Sequence, residues 1–133
     1  MPKPRKTLRI RLLPYLAPRL KWRKSLLSAV RRAKRARGIT YDESDRLALT
    51  IRLYLVGRNL DRIDVDNRLK DVMDALQGQI GGQGKKMKRP RDPIIKNDRQ
   101  VWRVTIEKIR RPPKLRATAG GYLTISRLRS APG

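Results

Sequence analysis

Residues 47–56 place Leu47, Leu49, Ile51, Leu53 and Leu55 at every second position. Successive side chains of an extended chain point to opposite faces, so these five residues share one face of a strand. The other face (Ala48, Thr50, Arg52, Tyr54 and Val56) is itself not strongly polar, which predicts a central strand covered on both sides. Such a strand needs neighbours and a covering layer, and the rest of the chain has to supply them.

The flanking segments fit that demand. Residues 8–13 alternate, with Leu8, Ile10 and Leu12 opposite Arg9 and Arg11, as in a half-buried strand. Pro14 and Pro18 break the chain. Trp22, Leu26, Ala29, Val30 and Ala33 then recur at helical spacing, predicting an amphipathic helix over 22–37 that stops at Gly38. Leu69, Val72, Met73 and Leu76 predict a second helix over 66–77, ending at Gly78. Residues 79–93 read as a long Gly-, Lys- and Pro-rich loop. Residues 100–108 read as a strand with Trp102, Val104 and Ile106 on one face. The order strand, helix, strand, helix, strand predicts a small single α/β domain, with two helices packed on a mixed sheet. Residues 110–121 look loose, and Tyr122–Ile125 is either a short edge strand or part of a disordered tail. The expected division is therefore a domain over 1–109 and a basic tail over 110–133.

Composition narrows the function. The 133 residues include 35 Lys and Arg against 11 Asp and Glu, a formal charge of +24. Leu, Ile, Val and Phe make up about a quarter of the chain, above the roughly 20% below which high charge means disorder. The absence of Cys and His excludes disulfides, cysteine nucleophiles, histidine-based triads and the usual zinc sites. No run approaches the ~18 apolar residues of a membrane span. The N-terminus lacks an apolar signal core, which predicts a cytoplasmic protein, associated with the nucleoid when DNA is bound. Such a charge favours nucleic acid as partner, since each neutralised phosphate releases a counterion. With few aromatic residues, a stacking platform for single strands is not favoured.

The charge is uneven. Residues 1–41 contain no acid, whereas residues 61–74 hold Asp61, Asp64, Asp66, Asp71 and Asp74 against Arg62, Arg68 and Lys70. The Gly-rich loop matches neither a P-loop nor a dinucleotide fingerprint: Gln79, Lys86 and Met87 stand where those patterns need other residues. Its Lys85, Lys86, Lys88, Arg89 and Arg91 suit a phosphate-tracking arm.

In the acidic stretch, an extended entry to the helix points Asp64 and Asp66 the same way. Asp66, Lys70 and Asp74 then form a ridge one turn apart beside the apolar stripe. Ordinary helix capping and an i,i+4 pair explain each residue taken singly. Converging carboxylates are different, because two charges about 4 Å apart repel by roughly 4 kcal/mol at an effective dielectric of about 20. A divalent cation with oxygen ligands, Mg²⁺ or Mn²⁺, offsets that. An acidic metal pocket on a strongly basic protein is the layout of a nuclease.

The residues Asp64-x-Asp66-Asn67-x-x-Lys70-x-x-x-Asp74-x-Leu76, followed by Asn97-Asp98-x-Gln100-Val101, resemble the motifs of the RusA family of Holliday junction resolvases. The resemblance covers about residues 47–108. It implies a dimeric, Mg²⁺-dependent endonuclease that resolves four-way DNA junctions by paired nicks, leaving 5′-phosphate ends, in recombination and repair. It implies Asp64, Asp66 and Asp98 as catalytic and metal-binding carboxylates, Lys70 as the lysine beside them, Asp74 as an additional acidic residue, and Asn67 as a brace at the helix start. Asn97 departs from the pattern, in which many relatives place a second Asp, and the loop after Gly78 is longer and more basic than the family's. The rival is a non-catalytic, basic nucleic-acid-binding protein of architectural or ribosomal type, which has no use for an acidic island.

Overall fold

The computed structural model describes residues 6–15, 19–79, 93–116 and 119–128. The elements run β1 (Thr7–Leu12), α1 (Arg19–Arg37), β2 (Leu47–Leu55), α2 (Asn59–Arg62), α3 (Val65–Leu76), β3 (Val101–Arg110) and β4 (Gly121–Arg127), with a 3₁₀ turn at Asp98–Gln100 before β3. The four strands form one mixed sheet in the order β1-β4-β2-β3. β4 is antiparallel to both β1 and β2, and β3 is parallel to β2. α3 lies in the crossover between the parallel pair. The small α/β domain with helices packed on a mixed sheet is thus the architecture of the chain, with α2 as an added single turn.

The alternation of β1 and β2 sets the layers. Leu8, Ile10 and Leu12, every apolar residue from Leu47 to Leu55 at odd positions, and Leu123 and Ile125 of β4 are buried on one face. Trp22, Leu26, Leu27 and Val30 of α1, and Val72, Ala75 and Leu76 of α3, close over them. The Trp22 indole Nε1 donates to the Leu13 carbonyl at 3.0 Å, tying α1 to the end of β1. The other face of β2 is only half-buried, and no described element covers it, so the expected cover on both sides is confined to one.

Two expectations need correction. Residues 121–127 are neither an edge strand nor a tail: β4 sits between β1 and β2, and a boundary at residue 109 would cut the sheet. Gly121 makes this possible. It has φ +122, and a Cβ there would run into the Arg52 carbonyl oxygen of β2. The strand expected over 100–108 is β3, which among the described residues is an edge strand with Trp102 and Val104 exposed, Trp102 at 65%. The register slips at Leu47/Ala48, so Trp102 has no partner on β2, and Arg46 stacks on its ring at 4.7 Å.

Secondly, α3 is turned from its expected orientation. Arg68, Asp71, Val72, Ala75 and Leu76 are buried, while Leu69 and Met73 are only half-buried. At about 100° per residue the inner face has rotated by roughly a fifth of a turn. The cause is ionic. Asp71 Oδ1 accepts hydrogen bonds from Arg19 Nε at 3.0 Å and Arg23 Nε at 2.7 Å, so α1 draws the acidic flank of α3 inward.

Candidate functional site

The entry to α3 is built by Asp64. Its backbone is extended (φ −91, ψ 122), and its Oδ1 accepts from the Asp66 backbone N–H at 2.9 Å. Asp64 is therefore the N-cap, which satisfies one of the free N–H groups of the first turn. Asn67, expected to brace this start, forms no hydrogen bond with its side chain among the described residues; the cap has already been made by Asp64. Asp64, Asp66, Asn67 and Lys70 are all exposed and lie within the first two turns of α3.

A further residue fixes this corner. Lys108, near the end of β3, donates from Nζ to the carbonyls of Leu60 at 2.6 Å and Ile63 at 3.1 Å. Ile63 immediately precedes the cap, so one ammonium ties β3 to the turn that presents Asp64. Sequence reading missed Lys108. Its only signal was a charge at a position of β3 whose alternation faces the helices.

Asp74, expected as an additional acidic residue of the site, serves the packing of the helices. Arg23 Nη2 lies 3.2 Å from its Oδ2. The same Arg23, with Arg19 and Arg68, surrounds the fully buried Asp71. The Arg68 guanidinium lies 3.6 Å above the Tyr15 ring. The hydrogen bond to Asp71 and its negative charge raise the Arg19 pKa above its ordinary value.

Asp98 opens the 3₁₀ turn before β3. Asn97 caps that turn, its Oδ1 accepting from the Arg99 N–H at 2.8 Å, a task an Asn performs as well as an Asp. Gln100 is buried. Its Oε1 accepts from the Lys96 N–H at 2.9 Å, and its Nε2 donates to the carbonyls of Asp42 at 2.7 Å and Asp45 at 3.1 Å. The Asp-x-Gln pair thus divides its work: Gln100 locks the turn to the loop before β2, and Asp98 stands exposed in front of it.

The three carboxylates do not gather within one chain, and this corrects the expectation that they do. β3 begins beside Leu47 and ends beside Leu55, and only its far end, through Lys108, reaches the Asp64 corner. Seven residues of strand at about 3.3 Å each put Asp98 roughly 20 Å or more from Asp64 and Asp66. The backbone at the other end of α3 agrees, since the Leu76 carbonyl accepts from Ile94 and Ile95, on the Asp98 side. Among the described residues no three acidic side chains are grouped to hold a metal ion. Lys85, Lys86, Lys88, Arg89 and Arg91 lie outside the described residues.

No family model and no curated protein matches the chain. No described helix is long and apolar enough to cross a membrane.

Proposed function

We propose that the chain is a divalent-metal-dependent endonuclease of branched DNA, cutting four-way junctions by paired nicks as a homodimer. The observation that carries the reading is the pairing state of the acids. Glu43, Asp45, Asp71, Asp74 and Glu107 each have a Lys or Arg partner. Asp64, Asp66 and Asp98 have none among the described residues, in a chain with 35 cations. Asp42 and Asp61 are also unpaired but lie outside the motif spacing. Exposed carboxylates kept clear of so many guanidinium and ammonium groups suit a cation that the chain itself does not supply.

Among the described residues a single chain offers Mg²⁺ or Mn²⁺ no set of three carboxylates, so the reading draws on two copies. The outer edge of β3 supports this. It is ten residues long, unpaired on one side among the described residues, and bears the exposed Trp102 and Val104. Antiparallel pairing of two β3 edges about a two-fold axis would bring the Asp98 end of one strand alongside the Lys108 end of the other, where Asp64 and Asp66 stand. The substrate has the same approximate two-fold symmetry.

The test is nicking of an end-labelled four-way junction beside a matched linear duplex, with Mg²⁺ or EDTA. Symmetric Mg²⁺-dependent cuts, lost in Asp66→Asn, support the reading. Tight binding without cleavage in any metal favours the non-catalytic binder, a reading supported by the capping role of Asp64.

A further inference from the structure

The face of the sheet turned away from α1 and α3 carries no described element, yet it is not apolar. One row across it reads Arg11, Tyr122, Arg52, Glu107 from β1 to β3. The two rows on one side of it read Arg9, Thr124, Thr50, Thr105 and Thr7, Ser126, Ala48, Arg103, and the row on the other side holds Tyr54 and Ile109. Four arginines face a single acid, Glu107, whose Oε1 lies 2.9 Å from Arg52 Nε.

The centre of this face is organised. The Arg9 guanidinium sits 4.5 Å from the Tyr122 ring centroid and that of Arg52 at 5.6 Å. Tyr54 meets the same ring edge-on at 6.3 Å. Stacking on an aromatic ring holds a guanidinium in place while leaving its N–H groups to donate. The ring is occupied by these cations, which disfavours a stacked base. Threonine and serine hydroxyls add uncharged donors suited to phosphate oxygens. A second copy laid face to face would set arginine against arginine, so charge complementarity selects a polyanion.

We propose that this open sheet face binds the phosphate backbone of double-stranded DNA, as a surface separate from the carboxylate corner. The inference rests on the proposed function only in choosing DNA over RNA. Binding is measured in EDTA, so the absence of cleavage does not touch it.

The experiment is fluorescence anisotropy of a labelled DNA duplex over a salt series. It compares a face variant (Arg9→Gln, Arg11→Gln, Arg103→Gln) with a control that removes equal charge from α1 (Arg32→Gln, Arg35→Gln, Arg37→Gln). Each arginine in contact contributes about 0.9 to the slope of log K against log salt. The expected result is a loss of about tenfold or more in affinity, and a shallower slope, for the face variant alone. A photo-crosslinking residue in place of Tyr122 should label the duplex, and one in place of Ala36 should not. Equal losses in both variants, no crosslink from position 122, tighter binding of an RNA duplex of the same sequence, or dissociation of a dimer by the face variant would each overturn the proposal.

Discussion

Asp71 has no solvent exposure and lies among three guanidiniums, two of them from α1. Removing it leaves Arg19, Arg23 and Arg68 crowded with only Asp74 nearby. Asp71→Ala is therefore expected to cost about 3–5 kcal/mol, the range for breaking a buried pair, read as a lower urea midpoint. Asp74→Ala, at the half-exposed rim of the same network, should cost far less. These roles were not legible in the sequence. Asp66, Asp71 and Asp74 stand in one acidic run, and which of them turns inward is decided by Arg23, 48 residues earlier. Tyr41 yields a pH prediction. Burial pushes its phenol pKa well above the ordinary value, the Asp45 charge adds to this, and Arg127 partly offsets it. The folded-state pKa is raised, so this contribution to stability is complete below the unfolded value of about 10 and is lost as pH rises above it. Thermal unfolding of the wild type should weaken progressively above about pH 10, and Tyr41→Phe should flatten that decline.

At the level of elements, alternation and helical spacing located β1, β2, α1, α3 and β3 to within a few residues, because each buries one face. They did not reveal that β4 is central. Its segment also alternates, with Leu123 and Ile125 buried, but sheet order is set by partners distant in sequence. The Gly120-Gly121 pair that looked like looseness is the close approach that lets β4 enter. Gly121→Ala combines a clash with the Arg52 carbonyl and a positive φ, and should cost about 3 kcal/mol or more. Denaturant unfolding of the variant checks this. Lys108 acts between elements, joining β3 to the turn before Asp64. Lys108→Met should leave the melting temperature little changed but lower kcat for junction nicking about tenfold or more, with KM nearly constant, because it misplaces the carboxylates without removing a DNA contact.

For the whole molecule, the motif residues were legible by type and spacing, but their assembly was not. Asp64 and Asp66 share a corner, whereas Asp98 stands at the other end of β3, and no spacing rule within the sequence indicates that separation. The proposed arrangement draws Asp64 and Asp66 from one protomer and Asp98 from its partner. It is tested most directly by mixing two inactive variants, Asp66→Asn and Asp98→Asn, under conditions that exchange subunits, and assaying the junction with Mg²⁺. A mixed dimer then carries one site with both changes and one with neither, so nicking should return, on one strand per binding event. If each variant alone is inactive and the mixture stays inactive although mixed dimers are shown to form, the shared site is contradicted.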